Sequence, residues 1–340
     1  MTGSRSKFEW TPEFDDIHST VYASKAYQKL FADNDGSEAR VLKISSQGEH
    51  AYLPLLVKDL GNGAKEAYSA YGYGGLMGSV NLSEADVESL RNYLSDDSIL
   101  AMFIRHSPFL NNHEQWPASS VALNRYTYKA DLLSHNSFEE YLKTIPQKIR
   151  WSANYAIRSG LKISFHKLSE CPHSKIMAFS HLYTSMLEKK NTSAYYFFEP
   201  KFFINFAESL GNSCEFVEIV DSKNENLCAG AFFLLDTDKW AHYHFSAVKK
   251  DMMNLQAMEL LMTSAVYRYG RAGYQALYLG GGHSLDENDG LSRFKKKFAS
   301  TKEKFFCTKT ICQELKYKKE RNRLQLKSPK FFLISDARNL

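Results

Sequence analysis

Four clusters of residues in this sequence carry side chains suited to chemistry on an activated carbonyl group or an anion. The first is the segment LSRFKKKF, in which Leu291, Phe294 and Phe298 fall on one face of a predicted helix. Lys295 flanks this apolar stripe, so its stem can be anchored beside the core while its ammonium group reaches a cleft. Lys296 points nearly opposite, as in a solvated basic face, which is the commoner explanation for a lysine cluster.

The second cluster is the segment WAHYHFS, whose composition predicts a strand. Strict alternation places His242, His244 and Ser246 on one side and Tyr243 and Phe245 on the other. Histidines at i and i+2 can ligate a metal, but the sequence suggests no third ligand nearby, so no metal site is predicted. A polar strand face that lines a cleft and a pair of buried histidines both remain open.

The third cluster is a predicted strand that runs into the glycines 280–282 and then His283. Glycines permit positive φ angles and the close approach of a ligand or another backbone. The pattern is equally typical of a turn that lines a site and of an ordinary strand-to-helix turn. His283 and Asp286 are candidate general bases, as is His244 of the second cluster.

The fourth cluster is the basic segment PQKIRWSANYAIR. Arg150, Asn154 and Arg158 recur every four residues and form one polar, cationic helical face. A guanidinium group there could hold a phosphate or carboxylate through two hydrogen bonds. An ordinary amphipathic helix explains the same spacing nearly as well.

The elements that must position these clusters recur in one order in both halves of the chain. In the first half, two β-rich runs between residues 39 and 56 precede a Tyr/Gly-rich stretch at 71–75, a helix and a strand at 100–105. Ser83 and Asp86 fit a capping box at the start of that helix. The second half repeats the order with strands at 215–220, 228–235 and 240–248, a helix at 255–269 and a strand at 276–279.

This repetition predicts two similar domains, 1–135 and 136–340. The boundary lies in the segment 131–137, where Ser137 and Glu140 form a capping pair at the start of a new helix. Further helices are predicted at 174–190 and 200–210. The expected fold class is α+β, with a mixed, largely antiparallel sheet flanked by helices in each domain.

Composition excludes several other classes of protein. The 340 residues are 44% hydrophobic and 24% charged, which is globular composition. The five cysteines are odd in number and form no C-x-x-C pair, so they predict reduced thiols and no zinc site. The sequence shows no signal peptide, no apolar run long enough to span a bilayer, no G-x-S-x-G elbow, no phosphate-binding P-loop and no H-E-x-x-H helix. A cytoplasmic protein is therefore expected.

Charge is unevenly distributed along the chain. The net charge is +5, but residues 293–340 hold 15 lysines and arginines against 4 acidic residues, a net charge of +11. The other residues together carry −6. This asymmetry predicts an anionic ligand or partner for the C-terminal part of the chain.

Taken together and in this order, the clusters resemble the FemAB-like branch of the GNAT acyltransferase superfamily. The resemblance runs from about residue 10 to 315 and rests on an ordered set of segments. These are YGYGG at 71–75, the basic segment at 148–161, CAGAFF at 228–233, AHYHFSA at 241–247, the long helix, and LGGG followed by FKKKF.

The resemblance implies two tandem GNAT-like domains that transfer an acyl or aminoacyl group from an acyl-CoA or aminoacyl-tRNA donor to a primary amine. The acceptor it implies is a cell-envelope precursor or a small metabolite. By position, Phe294 and Lys295 match the family's F-K pair, whose lysine lies at the catalytic centre, and amides near residues 245–247 match the splayed strand that binds the oxyanion. The expected catalytic residues are Lys295, His283 and His244, and the expected substrate-binding residues are Tyr73, Arg105, Arg150, Tyr155, Tyr243, Phe294 and Asp286.

The sequence departs from the family pattern before the long helix. Acetyl-CoA-dependent GNAT proteins have a glycine-containing pyrophosphate loop there, whereas this chain has VKKDMMN, in which only Lys249 and Lys250 could contact a phosphate. No tightly bound cofactor is expected, and acyl-CoA is a candidate co-substrate. The chain also lacks the inserted helical arm of the classical cross-bridge enzymes. A different hypothesis is a non-catalytic GNAT-like scaffold that binds RNA or an anionic surface through its basic C-terminal segment.

Overall fold

The computed structural model describes residues 6–12, 14, 20–189, 194–282, 284–326 and 332–338. Strands and helices alternate along these residues. The strands are β1 (Lys7–Thr11), β2 (Glu38–Ser46), β3 (Glu49–Gly61), β4 (Ala64–Tyr68), β5 (Met77–Gly78), β6 (Ile99–Arg105), β7 (Ala122–Asp131), β8 (Leu161–Lys167), β9 (Cys214–Asp221), β10 (Leu227–Leu235), β11 (Trp240–Val248), β12 (Ala276–Gly281) and β13 (Thr301–Ile311).

Two helices begin at the polar caps that the sequence predicts. Ser83 and Asp86 form the expected capping box, and the Ser137 side chain accepts a hydrogen bond from the Glu140 amide. The helices are α1 (Lys25–Asp35), α2 (Glu84–Asp96), α3 (Phe138–Thr144), α4 (Gln147–Arg158), α5 (His173–Lys189), α6 (Pro200–Leu210), α7 (Lys250–Asn254), α8 (Ala257–Arg271), α9 (Gly290–Lys296), α10 (Glu314–Arg323) and α11 (Ile334–Arg338).

The chain divides into two compact units. Unit 1 comprises Met1–Arg125 and Lys304–Leu340, and unit 2 comprises Tyr126–Glu303. The sheet of unit 1 has the strand order β1-β2-β3-β4-β6-β13, with β5 beside β3, and that of unit 2 has the order β7-β12-β11-β10-β9-β8. In each sheet one pair is parallel, β4 with β6 and β11 with β12, and its two strands are joined by a connection that includes a helix, α2 or α8.

These boundaries differ from the sequence-based ones, 1–135 and 136–340, at both ends of unit 2. Residues 304–340 belong to unit 1, because β13 pairs antiparallel with β6 from Cys307 opposite Arg105 to Ile311 opposite Ala101. Strand β7 belongs mainly to unit 2, because it pairs with β12. Backbone pairing between segments this distant in sequence leaves no local signature, so composition could not indicate it.

The core of unit 1 lies between its sheet and α2, with Leu42, Leu53 and Met102 on the strands and Leu90 on the helix. Unit 2 has two cores. On one face of its sheet α4 and α8 pack through small and aliphatic residues, among them Ala153, Ala156, Leu260 and Leu261. On the other face α5 and α6 pack through aromatic rings, and these are Phe179, Phe203, Phe206, Phe216, Phe232 and Phe245.

Candidate active site

The two parallel strands of unit 2 are paired over a short stretch only. The register joins Trp240 with Ala276, Ala241 with Leu277 and His242 with Tyr278, and in the described part of the chain it goes no further. The remainder of β11 stays paired with β10 on its other edge. Alternate backbone N–H and C=O groups of β11 beyond His242 therefore point away from β10 toward the opening between the two strands.

An irregularity in each strand accompanies this opening. In β11 the partner of Phe233 is Tyr243 and the partner of Phe232 is Phe245, so His244 is an extra, bulged residue. In β12 the register with β7 shifts between Tyr278 and Gly280, and Gly280 has a φ of 71°. Bulges bend a strand and increase its twist, which turns the two strands away from each other.

Helix α9 places a lysine beside this opening. Lys295 is only 8% exposed, and its Nζ donates a hydrogen bond to the carbonyl oxygen of Gly281 at 2.8 Å. The same Nζ lies 5.9 Å from the centroid of the Tyr243 ring. The ammonium group of Lys295 is thus held between the end of β12 and the outer part of β11.

The start of α9 is fixed by an aspartate that caps the helix. Asp289 Oδ1 accepts hydrogen bonds from the amides of Leu291 and Ser292, and its Oδ2 accepts one from the Ser292 hydroxyl at 2.6 Å. Gly282 packs against this cap so closely that a Cβ atom would lie 2.0 Å from Ser292 Oγ. The deepest residues of α9 are Ser292 and Lys295, whereas Phe294 of the expected apolar stripe is only partly buried.

The bulge corrects the side assignment made from strict alternation. His244 and Phe245 both contact the ring of Phe206 on α6, at centroid distances of 5.8 and 5.7 Å. Tyr243 lies on the opposite face, where it packs against Phe233. An extra residue shifts the two-residue period by one, so the prediction that Tyr243 and Phe245 share a side is wrong.

This arrangement separates His244 from Lys295. Burial lowers the pKa of His244 to about 3, with a smaller contribution from His242, so the imidazole is neutral at pH 7 and binds a proton weakly. Burial raises the pKa of Tyr243 well above its ordinary value, so its hydroxyl remains protonated and can donate a hydrogen bond. Of the two side chains, Tyr243 is the one on the Lys295 side of the sheet.

The loop between β12 and α9 carries the other two candidate bases. Asp286 is exposed, and its Oδ1 accepts a hydrogen bond from the amide of Asn288, so it shapes its own turn. His283 lies outside the described residues. Phe294, the neighbour of Lys295, packs edge-on against Phe298.

Candidate donor-binding residues follow β11. Lys249 is the N-cap residue of α7, and its amide donates a hydrogen bond to the Cys228 carbonyl at 2.9 Å. Lys250 is exposed in the first turn of α7. Gln256 stands before α8 with a φ of 61°, a left-handed conformation that favours glycine. Glu259, in the first turn of α8, is 9% exposed and pairs with Lys297 Nζ at 2.7 Å.

This geometry does not fit a pyrophosphate at the first turn of α8. A helix N-terminus attracts anions through its unpaired N–H groups, but the Glu259 carboxylate already provides a negative charge in that turn. The ammonium group of Lys297 already donates a hydrogen bond to this carboxylate, so it is not free to pair with a phosphate.

The remaining predicted substrate-binding residues fall into two groups. Arg150 and Tyr155 lie on the outward side of α4, with Tyr155 stacked on Trp151 at 5.1 Å between ring centroids. Tyr73 and Arg105 belong to unit 1. There Tyr73 is buried among three aromatic rings, those of Tyr22, Phe109 and Phe305.

Sequence reasoning singled out glycines 280–282 but missed Asp289 and Ser292, which fix the start of the helix that carries Lys295. Asp289 had a readable signal, because an aspartate before an apolar and basic run is a common helix cap. The register shift in β12 had a signal in the glycines 280–282, whereas the bulge at His244 had none.

None of the helices in the described residues is long and apolar enough to cross a membrane. No group of three or more histidine, cysteine, aspartate or glutamate side chains in that part of the chain is arranged to hold a metal ion.

Comparison with known proteins finds the fold and no close relative. No protein-family model matches the chain, and no curated protein matches it. The crystal structure of FemX is similar with a TM-score of 0.63 and 13% identity, over 91% of this chain and 99% of that chain. A tandem GNAT protein from the clavulanic acid biosynthesis pathway is similar with a TM-score of 0.51 and 10% identity, over 90% of this chain and 99% of that chain.

A third similar structure is L-PGS from Bacillus licheniformis, with a TM-score of 0.50 and 12% identity, over 86% of this chain and 93% of that chain. At such identities the likeness concerns the fold. The mixed sheets, the helical connection in each parallel pair and these structural neighbours agree with the fold that the sequence segments predicted. The chain therefore has a tandem GNAT-like fold of two units, similar to that of FemX.

Proposed function

We propose that this protein is an N-acyltransferase that moves an acyl or aminoacyl group from an activated ester or thioester to a primary amine. The observation that carries the proposal is the opening between β11 and β12 with the ammonium group of Lys295 beside it. An opening of this kind offers backbone donors along one edge and a fixed cation at the other. The fold likeness to FemX and to a tandem GNAT protein supports the same reaction class.

The reaction needs few groups. The amine nitrogen attacks the donor carbonyl carbon, a C–N bond forms, and the C–O or C–S bond to the leaving group breaks. Backbone N–H groups of β11 beyond His242 hold the carbonyl oxygen as negative charge develops on it. The ammonium group of Lys295 stabilises the same charge or the departing oxygen or sulfur, and the protonated Tyr243 hydroxyl donates a hydrogen bond to the leaving group.

The amine must lose a proton during the reaction. His244 is a poor base for this step, because it faces α6 and its pKa is lowered to about 3. Asp286 is the proposed proton acceptor, because its loop connects β12 to α9 and its carboxylate is exposed to solvent. In both donor classes the proton finally resides on solvent or on the leaving group.

The acceptor is proposed to be a small amine, of an envelope precursor or a metabolite, that enters the opening from solvent. Phe294 and Tyr243 supply apolar surface beside Lys295, and Phe294 is partly buried. Binding of the donor through Lys249 and Lys250 likewise remains a proposal.

Removal of the Lys295 ammonium group tests the proposal. Lys295→Ala should reduce the transfer rate by about 100-fold or more, as expected for one preorganised stabiliser of the transition state. Lys296→Ala is the matched control, because Lys296 is exposed on the same helix and pairs with Glu287. Thermal melting of both variants shows whether the fold persists. Full activity of a folded Lys295→Ala variant would contradict the proposed role.

A ligand screen separates this function from that of a non-catalytic binder. The thermal stability of the wild-type protein is measured with CoA thioesters and with bulk tRNA, each at two salt concentrations. Stabilisation by thioesters, or transfer from aminoacyl-tRNA to an added amine, supports an enzyme. Salt-sensitive binding of any RNA without transfer would contradict it.

A further inference from the structure

The outward face of α4 combines aromatic rings with cations. Trp151 is 54% exposed, and its ring is stacked on that of Tyr155 with an angle of 8° between the planes. In the described part of the chain the Trp151 ring has no other aromatic or cationic contact. A flat aromatic stack with an exposed end is a surface on which another flat ring can stack.

The cations around this stack have no partners among the described residues. The side chains of Lys148, Arg150 and Arg158 make no ion pair or hydrogen bond with that part of the chain. Helix α4 contains no aspartate or glutamate that could neutralise them. At helical spacing, Lys148 lies on one side of the Trp151–Tyr155 stack, and Arg150 and Arg158 lie on the other.

The opposite face of α4 explains why this surface is outward. Ile149, Ser152, Ala153 and Ala156 are buried, and the alanines belong to the core that α4 forms with α8. The aromatic stack therefore has no role in holding α4 to unit 2, although exposing such rings to water is unfavourable.

A chain of contacts connects the buried face of α4 to the candidate active site. The Ser152 hydroxyl lies 3.1 Å from Gln256 Oε1, immediately before α8, and Glu259 in the first turn of α8 pairs with Lys297. Lys297 follows directly on α9, which carries Lys295. Helix α4 is thus linked through α8 to the segment that carries Lys295.

We propose that the outward face of α4 binds an unpaired nucleotide of the acyl donor, with the base stacked on Trp151 and the phosphates on Lys148, Arg150 and Arg158. Only the assignment of this nucleotide to the donor rests on the proposed function. Gln147 and Asn154 lie among the aromatic residues, so the face lacks the continuous apolar stripe that a membrane surface would require. The nucleotide can belong to the end of a single-stranded RNA or to a small nucleotide such as that of coenzyme A.

Binding experiments with the whole protein test this surface. Fluorescence anisotropy of a labelled, short single-stranded oligoadenylate gives the affinity for RNA, and competition by adenosine 3′,5′-bisphosphate gives that for the small nucleotide. Trp151→Leu should weaken binding of whichever of these two ligands binds more tightly by about 5-fold or more, the usual cost of losing one base–aromatic stack. Trp151→Phe should retain most of the affinity, because it keeps a ring at the same place.

The contribution of the α4 cations is measured by the salt dependence of RNA binding. Arg158→Gln should lower the salt dependence of RNA binding by about 0.7 in the slope of log K against log salt. Lys223→Gln, at an exposed lysine of the β9–β10 turn, is the matched control and should leave that slope unchanged. Weakening only of oligoadenylate binding identifies an RNA end as the ligand, and weakening only of bisphosphate binding identifies the small nucleotide.

Other outcomes would overturn the proposal. Trp151→Leu with wild-type affinity for both probes would do so, as would equal affinity for duplex and single-stranded RNA. Trp151-dependent binding of anionic phosphatidylglycerol vesicles without binding of either nucleotide would show a membrane surface instead. Lys295→Ala separates the two proposals, because it should abolish transfer and leave nucleotide binding intact.

Discussion

The two units contain the same parallel strand pair in two different states. In unit 1, β4 and β6 are paired from Lys65 opposite Ile99 to Tyr68 opposite Phe103. The contact continues beyond the strands, since the Ser69 amide bonds the Phe103 carbonyl and Gly74 forms a bridge with His106. In unit 2, the pairing of β11 with β12 stops after three residue pairs.

The charged side chains beside the two strand pairs also differ. Beside the closed pair, the carboxylate of Glu66 is fully buried and accepts hydrogen bonds from the amides of Ile334 and Ser335 and from the Ser335 hydroxyl. Beside the open pair stands the ammonium group of Lys295. A closed pair with its polar groups satisfied provides stability, whereas an open pair leaves backbone donors for a substrate. This difference supports the proposal that acyl transfer takes place in unit 2.

The largest expected effect comes from removing the buried carboxylate of the closed pair. Glu66→Ala should destabilise unit 1 by about 3 kcal/mol or more, because two amides and a hydroxyl lose their acceptor. Hydrogen exchange measured by mass spectrometry should show lost protection in residues 332–338. Glu49→Ala is the control, since Glu49 is exposed and its carboxylate accepts a hydrogen bond from the Ser79 hydroxyl at the surface. Unchanged exchange in the Glu66 variant would show that this segment is held by its apolar contacts alone.

A smaller effect is expected from crowding the helix cap of the open pair. Gly282→Ala would place a Cβ atom 2.0 Å from Ser292 Oγ and 2.3 Å from Asp289 Oδ2, so the start of α9 must shift. We expect a loss of about 2 kcal/mol in unfolding free energy, measured in urea, together with a lower transfer rate. Gly290→Ala is the matched control, because a Cβ atom there meets nothing within 4 Å. Equal stability and rate in both variants would show that α9 tolerates displacement.

Acid should destabilise both units through one buried histidine in each. Burial lowers the pKa of His106 in unit 1, and of His244 in unit 2, to about 3. Between pH 6.5 and 3 the unfolded chain binds more protons than the folded one, so stability is complete above this window and falls as the pH falls. Each histidine should remove about 1.4 kcal/mol between pH 8 and pH 5.5.

Urea unfolding at these two pH values measures the loss. His106→Gln and His244→Gln should each reduce the acid-induced loss, and the double variant should reduce it by the sum. A loss that neither substitution changes would mean that other groups control the acid sensitivity.

The smallest effect is expected from the cation of the closed pair. Arg105 Nη1 donates to the Ser69 carbonyl at 3.0 Å, and its guanidinium group lies 4.7 Å from the centroid of the Phe103 ring. Both partners belong to the paired segment, so Arg105→Gln should change kcat by less than about 3-fold, against the 100-fold expected at Lys295. A comparable fall in kcat would mean that unit 1 takes part in the chemical step.

Local patterns in the sequence predicted much of the fold. The capping pairs at Ser83 and Ser137 start helices as expected, and the predicted helix at 200–210 and strand at 240–248 have the observed bounds. The long helix is shifted by two residues, to Ala257–Arg271. Such features depend on hydrophobic period, caps and turn residues, all of which lie within a few positions of each other.

What the sequence could not predict depends on contacts between distant segments. Nothing near Thr301–Ile311 indicates that β13 completes the sheet of unit 1, and the bulge at His244 arises from the register with β10. One such residue reverses the side on which every later side chain of β11 lies, which is why the pairing of Tyr243 with Phe245 was wrong. The hydrogen bond from Lys295 to Gly281 likewise needs the turn that brings α9 back to β12.

The return of the chain to unit 1 has a consequence for synthesis on the ribosome. All strands of the sheet that surrounds the opening are complete once residue 281 has emerged, and unit 2 ends at Glu303. Unit 1, although it begins earlier, lacks the partner of β6 until Ile311 has been made. Until then the edge of β6 carries unpaired backbone groups that can pair with another chain. The unit that starts first is therefore finished last, and slow translation through the last part of the gene prolongs its exposure to aggregation.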